Sequence, residues 1–392
     1  MQASAALPRA LTRGRILPAV VGVWWVATTG LTHASPYTPS ADAQILAQIP
    51  AGARHAQLPA RRLARDRIDV ALPLARIYIN ESRTTGDLRM LGYADAVLAP
   101  WVGPNSDSAD ALILHAAVLQ SRHDFSAALR ELDRGLRLRP DDPQAWLIRA
   151  TVLRVLGRYE EASLACRKLS GRVSVAVDTL CEQGLRGLTG ELTSAYAALT
   201  DLPTHTMPAA ERAWRDSELG EMAVRMGRDE AAERWFKDGL ASAPEDFYIR
   251  AAYADLLLRQ RRANDALVLL MGKENLEPLL LRIAIAQKQL HDPGLAASRA
   301  RLNAVFAAEH QRGEGLHRRE EARFLLDVEG EARAALIAAT DNWQVQHETD
   351  DVLVFVQAAN ATGSPQAAAA ALVFVRENGL EDARLRNQGE RL

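Results

Sequence analysis

Residues 109–142 read ADALILHAAVLQSRHDFSAALRELDRGLRLRPDD, and the spacing of their small, large and proline residues returns further along the chain. Counted from Ala109 as position 1, small residues stand at positions 8 (Ala116) and 20 (Ala128), and Pro140 stands at position 32. Large apolar residues stand at positions 4, 11, 17 and 24. Two antiparallel helices approach closely only where side chains are small, and a proline ends the second helix. The stretch therefore predicts a helix pair.

The same spacing recurs in residues 143–174, 213–246 and 247–276. Gly157 and Gly227 fall at position 15 of their units, where a glycine allows a tight turn between the two helices. The four units together resemble the tetratricopeptide (TPR) family, whose pattern is W-x2-L-G-x2-Y, then A-x3-F, then P. The resemblance covers roughly a third of the chain and implies an all-α fold, a right-handed superhelical solenoid of antiparallel helix pairs.

Composition agrees with a helical fold and excludes two classes of protein. Hydrophobic residues make up 48% of the 392 residues and aromatic residues only 5%, so the core is built from Ala, Leu and Val. The mean hydropathy of -0.14 excludes a polytopic membrane protein. With 47 basic and 49 acidic residues, the chain lacks the concentrated positive charge that a nucleic-acid binder needs.

The first 34 residues have the pattern of a secretory signal peptide. Arg9, Arg13 and Arg15 precede an apolar run that ends at Thr32-His33-Ala34, with small residues at the positions that signal peptidase reads. An uncleaved membrane anchor is the alternative, and it would be the chain's only membrane contact. We expect a periplasmic or secreted bacterial protein.

The remaining sequence divides into five segments. Residues 35–60 are rich in Pro and Ala and predict a flexible N-terminal arm. Residues 61–108 predict a TPR-like N-terminal helix pair, 109–308 the TPR solenoid, 309–318 a loop, and 319–392 degenerate C-terminal TPR-like or capping helices. The run Val352 to Val356 has a β-like composition but lies between helical stretches, so it is interpreted as a buried helix face.

Cys166 and Cys181 are the only cysteines. Export favours an oxidised pair, whereas two buried free thiols are the alternative. We expect a disulfide. The sequence contains no CxxC motif, so neither redox catalysis nor a zinc knuckle is indicated.

No catalytic or cofactor motif is present. The sequence lacks a G-x-S-x-G elbow, a Walker loop and an H-E-x-x-H helix. His310 and His317 flank a Gly-rich segment, but no third donor stands at metal spacing, so a solvated loop is preferred to a metal site. We therefore expect no catalytic residues, no cofactor and no metal.

A solenoid offers a long concave surface instead, which in TPR proteins is lined by the first helix of each unit at positions such as 2, 5, 9, 12 and 13. These positions predict the partner-binding residues Gln120, Thr151, Arg154, Trp214, Glu221, Arg225, Tyr248, Asp255 and Arg259. The arginines would bind a partner's carboxylates and the two aromatic residues would anchor it. The alternative is that Glu221 pairs with Arg225, and Asp255 with Arg259, as solvent-exposed pairs four residues apart.

Three functions follow, in order of preference. The first is an exported, non-catalytic scaffold that binds a protein or peptide of the cell envelope in its concave groove. The second is a module that binds an envelope glycan or another small ligand, which stacked aromatic residues would support. The third is an enzyme with an unrecognised site, which a perturbed His or Glu in a closed pocket would support.

Overall fold

A computed structural model describes residues 58–312 and 317–389. The predicted signal peptide and nearly all of the predicted arm lie outside these residues. The chain divides into two units, 1–37 and 38–392, and every described residue belongs to the second. Within the described ranges all regular structure is helical, which confirms the all-α prediction. No helix in these ranges is both long enough and apolar enough to span a membrane.

A short helix, α1 (Leu58–Leu63), precedes nine helix pairs in the described part of the chain. In each pair we call the first helix A and the second helix B. The pairs are, in order, α2 (Ile68–Thr85) and α3 (Arg89–Leu98); α4 (Ala109–Ser121) and α5 (Phe125–Leu138); α6 (Pro143–Val155) and α7 (Tyr159–Arg167); α8 (Val175–Arg186) and α9 (Leu192–Thr200); α10 (Ala209–Arg225) and α11 (Asp229–Ser242); α12 (Phe247–Arg259) and α13 (Ala263–Leu270); α14 (Glu277–Leu290) and α15 (Leu295–Arg312); α16 (Arg318–Arg323) and α17 (Ala332–Trp343); α18 (Thr349–Ala361) and α19 (Ala369–Glu377). The helix α20 (Ala383–Gly389) follows pair 9.

One backbone feature marks the turn inside every pair. A residue with positive φ lies between helix A and helix B, and these residues follow one another at intervals of 30 to 39 residues. They are Gly86, His123, Gly157, Gly190, Gly227, Arg261, His291, Gly330 and Gly363. The left-handed conformation suits glycine, so the three other side chains are held there by the surrounding helices. The turn that the sequence predicts at position 15 is therefore present throughout.

Small residues hold the helices of a pair together, as the sequence predicts. Ala116, Ala128 and Ala232 are fully buried. A β-carbon added to Gly220 would lie 2.4 Å from Cε1 of Phe236, so the ring of helix B fills the space that the missing side chain leaves on helix A. This close approach confirms the reason for the small residue at position 8.

Pair 8 departs from the regular spacing by one residue. The buried small residue precedes the turn by seven residues in pairs 2 and 3, but Ala322 precedes Gly330 by eight. A π-helix at Phe324–Glu329 absorbs the additional residue, so helix A still presents Ala322 to the core. This insertion explains why the pair is degenerate in sequence.

Two sequence expectations concern local structure. Residues 352–356 lie in helix α18 and are mostly buried, which confirms the helical interpretation. The predicted loop at 309–318 is too long, because α15 continues to Arg312 and α16 begins at Arg318. Buried Glu309 lies in the last turn of α15 and contacts His317, so it links α15 to the segment before α16.

Cys166 and Cys181 form a disulfide with a Cα–Cα distance of 5.6 Å, which joins α7 to α8.

The turns of pairs 1 to 5 contact residues that begin, lie in or follow pairs 7 to 9. A β-carbon on Gly86 would lie 2.5 Å from Leu276, just before pair 7, and the ring of His123 lies 6.1 Å from that of His317, just before pair 8. His347, just before pair 9, donates its backbone N–H to Val155 O at 2.8 Å. We call this series the seam; its contacts are Gly86 with Leu276, His123 with His317, Gly157 with His347 and Phe374, Gly190 with Gly379, and Gly227 with Ala383.

The seam shows how tightly the solenoid winds. Four of its contacts join residues 189 to 194 positions apart, so the start of a pair lies against the turn of the sixth pair before it; they are Gly86 with Leu276, His123 with His317, Gly157 with His347 and Gly190 with Gly379. Residues 319–389, which belong to the segment predicted as degenerate TPR-like or capping helices, thus pack on earlier pairs as well as on their sequence neighbour. Trp343 and Phe355 share one hydrophobic core with Leu153 and Tyr159, because about six pairs complete a superhelical turn.

Candidate functional site

The A helices of non-adjacent pairs meet through their side chains, and we call the surface they form the inner face. Arg154 of α6 forms an ion pair with Glu218 of α10, at 2.5 Å between Nη1 and Oε1, although a whole pair lies between them in sequence. Gly184 of the intervening helix α8 makes room, since a β-carbon there would lie 3.3 Å from Nη1 of Arg154. The inner face is therefore narrow at this point.

Glu221 lies beside this ion pair and has an unusual protonation equilibrium. Burial, followed by repulsion from Glu218, raises the pKa of its carboxyl group to about 7, against the attraction of Arg154. The charge of Glu221 lies close to Tyr248 and raises the pKa of its hydroxyl group well above its usual value. We call Arg154, Trp214, Glu218, Glu221 and Tyr248 the Glu221 cluster. Trp214 donates its indole N–H to Glu218 at 3.4 Å.

A second set of charges lies further along the inner face. Asp255 accepts hydrogen bonds from Arg282 at 2.7 Å and from Arg323 at 2.9 Å. Burial alone would raise the pKa of Asp255, but the two guanidinium groups hold it well below its usual range. Asp350 of α18 acts electrostatically on both Asp255 and Glu221 and forms an ion pair with Arg384 at 2.7 Å. Charges from six A helices (α6, α10, α12, α14, α16 and α18) and from α20 thus form one connected network.

The three arginines predicted to bind a partner's carboxylates all have partners within the chain. Arg154 is paired with Glu218, and Arg259 forms an ion pair with Asp229 at 2.6 Å. Arg225 is buried, with 4% of its surface exposed, and donates to the carbonyl oxygen of Gly187 at 2.6 Å. A partner's carboxylate would have to displace one of these internal acceptors. The alternative pairing of Asp255 with Arg259 is wrong, because Asp255 contacts Arg282 and Arg323 instead.

The other predicted residues differ in exposure. Tyr248 is half exposed, at 51%. Thr151 is also exposed, and its hydroxyl donates to Leu147 O in its own helix. Trp214 is half-buried, and so is Gln120 in the last turn of α4. Tyr248 and Thr151 are therefore the predicted residues most accessible to a partner.

Sequence reasoning missed Glu218, Arg282, Arg323, Asp350 and Arg384. Glu218 stands at position 6 of its unit and Arg282 at the same position of its own, one residue beyond the concave position 5. Arg323, Asp350 and Arg384 belong to C-terminal segments that lack the consensus. These segments align with the regular units once the positive-φ turns and the one-residue insertion in pair 8 are known. That insertion is visible only in the structure.

Glu221 is the kind of perturbed carboxyl group that the enzyme alternative would require. A pocket of about 370 Å³ in the described residues lies between α13, α14 and α15, and its lining includes Leu267, Met271, Ile283 and Arg301. None of the Glu221 cluster lines it. The raised pKa of Glu221 is explained by burial and by the carboxylate of Glu218 beside it.

A comparison with protein-family models finds no match, and a search of curated proteins finds none either. Among solved structures, the chain is similar to PilF of Pseudomonas aeruginosa, with 19% identity, 65% of this chain and 97% of that chain covered, and a TM-score of 0.31. It is also similar to a tetratricopeptide repeat protein from Parabacteroides merdae (15% identity, 67% and 98% covered, TM-score 0.37). A third similar structure is the APC/C hetero-tetramer Cut9–Hcn1, with 13% identity, 86% of this chain and 68% of that chain covered, and a TM-score of 0.47.

The class of the protein rests on the chain's own repeats. Nine helix pairs with small residues at the close contacts and a positive-φ turn in each pair form an all-α array of the TPR type within the described residues. The resemblance inferred from the sequence is thereby confirmed at the level of the fold.

Proposed function

We propose that the protein is a non-catalytic scaffold that binds a protein or peptide partner of the cell envelope along its inner face. The observation that supports this most directly is Tyr248, a large aromatic side chain that stays half exposed on a face whose charges are otherwise paired. Aromatic residues that are partly desolvated and carry a polar end are typical anchors of protein interfaces. The partner would therefore be recognised through aromatic and hydrogen-bonding contacts more than through free arginines.

The inner face is well suited to this mode of binding because its geometry is fixed before a partner arrives. Glu221 and Arg154 act electrostatically on Tyr248, and so does Glu348 at the start of pair 9. A preorganised site loses less conformational entropy on binding. An extended segment or a single helix of the partner is the appropriate occupant, since the ion pair between α6 and α10 narrows the face.

The binding proposal is tested with the tagged chain as bait in an envelope extract of the source cells. Tyr248→Ala removes the aromatic anchor, and Thr151→Arg places a bulky charge at an exposed position of α6. Val268→Ala, which changes a 69% exposed residue on helix B of pair 6, is the control. We expect wild type and the control to retain the same protein, and both inner-face variants to lose at least about 90% of it.

If all four chains retain that protein equally, the inner face is not its binding site. Circular dichroism of each variant separates loss of binding from loss of fold, and both inner-face positions were chosen because they are exposed. The charge reversals Arg154→Glu and Arg225→Glu are unsuitable for this test, because each would leave a buried partner unpaired and cost several kcal/mol, about 3–5 for a buried ion pair.

We propose further that the protein is exported and that residues 1–34 are removed. The signal-peptide pattern supports this, and a disulfide is stable in an oxidising compartment. Mass spectrometry of the protein purified from its source cells should find an N-terminus at Ser35. Replacing Ala34 by Phe should block cleavage and leave the longer chain. An N-terminus at Met1 in the wild-type protein would establish the uncleaved anchor instead.

A further inference from the structure

Three side chains from three consecutive segments converge beside the seam. Glu277 begins α14, Glu309 lies in the last turn of α15, and His317 immediately precedes α16. The Nδ1 atom of His317 lies 2.5 Å from Oε1 of Glu309 and 3.3 Å from Oε2 of Glu277. One ligand atom from each residue falls within 4.8 Å of the other two. We call Glu277, Glu309 and His317 the Glu–Glu–His trio.

The trio is enclosed by protein, and its charge favours a cation. The side chains of His317 and Glu277 are each 15% exposed, and that of Glu309 is 6% exposed. Glu320 is a third carboxylate that acts electrostatically on the imidazole. With a neutral imidazole, the trio would carry two negative charges in a desolvated place, and burying such charge is costly unless it is compensated.

We infer that the Glu–Glu–His trio binds a divalent transition-metal ion, with Zn²⁺ preferred to Mg²⁺. Imidazole nitrogen together with carboxylate oxygen is a donor set for zinc, whereas Mg²⁺ prefers oxygen ligands and retains its waters. Zinc bonds of about 2.0–2.2 Å at tetrahedral angles place ligand atoms about 3.3–3.6 Å apart. The 3.3 Å between His317 and Glu277 already fits, and the contact between His317 and Glu309 must open by about 1 Å. The ion would take the place of the proton that His317 shares with the two carboxylates, and a water would complete the coordination.

The position of the trio beside the seam predicts how metal binding would affect the stability of the fold. Glu277 follows Leu276, which packs under Gly86, and His317 lies against His123. An ion held by the three side chains would fix the segments that begin pairs 7 and 8, and these are the segments that form the first two contacts of the seam. Metal binding should therefore stabilise the closed solenoid, since a ligand that binds only the folded state raises its stability.

The test uses tag-free full-length protein that has been stripped with EDTA and dialysed against Zn²⁺ or, in a parallel arm, Mg²⁺. Elemental analysis should find one Zn²⁺ per chain in the wild type and no retained Mg²⁺. His317→Ala and Glu309→Gln should each weaken Zn²⁺ binding by at least about 10-fold in competition with a chelating indicator. His310→Ala removes an exposed histidine seven residues away, which bonds Glu321 instead, and it should bind as tightly as wild type.

Thermal unfolding provides a second readout. Zn²⁺ should raise the Tm of wild type and of His310→Ala, and leave the Tm of the other two variants unchanged. Glu309→Gln keeps the size of the side chain, so it covers the case in which His317→Ala fails to fold. The proposal is overturned if wild type retains no Zn²⁺, or if the trio variants retain as much as His310→Ala. The trio would then be an imidazolium held between two carboxylates.

Discussion

Glu221 is the residue at which the inner face departs most from ordinary solution chemistry. Its pKa is raised to about 7 by burial and by Glu218, so the folded state binds a proton more tightly than the unfolded state, whose reference value is 4.5. The stability that this proton supplies is fully present below pH 4.5 and is lost as the pH rises through about 7. Protein stability should consequently fall between pH 5 and pH 8 through this residue.

Glu221→Gln mimics the protonated form and tests this dependence. Relative to wild type, the variant should gain about 1–3 kcal/mol in free energy of unfolding between pH 5 and pH 8, measured by urea denaturation. Glu161→Gln is the control. Arg158 lowers the pKa of Glu161 in the folded state, so Glu161 is ionised in both the folded and the unfolded state throughout this pH range. A difference between Glu221→Gln and wild type that is constant from pH 5 to pH 8 would show that Glu221 ionises normally.

Arg261 is a residue that the fold holds in an unfavourable conformation. It occupies the turn of pair 6 with φ of 62°, where most other pairs have glycine. Arg261→Gly should relieve the steric cost of the left-handed conformation and raise the free energy of unfolding by about 0.5–1 kcal/mol. Arg261→Ala removes the same side chain and keeps the cost, so it should give no gain. Equal effects of the two substitutions would refute the explanation.

At the scale of the elements, the disulfide joins helix B of pair 3 to helix A of pair 4. The two cysteines are 15 residues apart, a loop for which the chain-entropy model gives about 3 kcal/mol. Reducing the protein with dithiothreitol should lower the free energy of unfolding by about 2–4 kcal/mol. The double variant Cys166→Ser/Cys181→Ser should start at the lower value and respond to dithiothreitol not at all. A wild-type protein that is insensitive to reductant contradicts the prediction.

The sequence predicts the helix pairs well because their packing depends on local spacing. Ala116 and Ala254 stand at position 8 of their units and Gly157 stands at the turn position of its own, so spacing along the chain specifies all three. The inner face is less predictable, because its contacts join helices far apart in sequence. Glu218 meets Arg154 across 64 residues, and Asp255 meets Arg323 across 68. No spacing rule within a unit specifies such partners.

The Glu–Glu–His trio illustrates the same limit. His310 and His317 are close in sequence and are the two histidines that the sequence offers as metal ligands. His310, however, forms an ion pair with Glu321 and stays exposed. The donors that reach His317 are Glu309, from the helix before it, and Glu277, which lies 40 residues upstream. Their convergence depends on how α14, α15 and α16 pack, so a search for metal spacing along the sequence does not find them.

At the scale of the whole molecule, the seam is the feature that determines how a partner can approach. A TPR array with an open groove exposes both edges of its concave surface, whereas here the turns of pairs 1 to 5 are covered by the segments that begin or follow pairs 7 to 9. The predicted long groove is thereby shortened, and its charges neutralise one another across the inner face. Binding of a large partner would require part of the seam to open.

Two spin labels placed across the seam test this account most directly. The native cysteines are joined in a disulfide, so the double variant Thr85→Cys/Asn275→Cys can be labelled selectively at two exposed sites next to Gly86 and Leu276. A second double variant, Thr189→Cys/Glu377→Cys, probes the contact between Gly190 and Gly379 in the same way. The closed solenoid predicts α-carbon separations below about 16 Å for both, from the 3.8 Å spacing along the chain. An open array would separate each pair of labels by about 40 Å or more, at 8–10 Å per packed helix, and that result would contradict the seam.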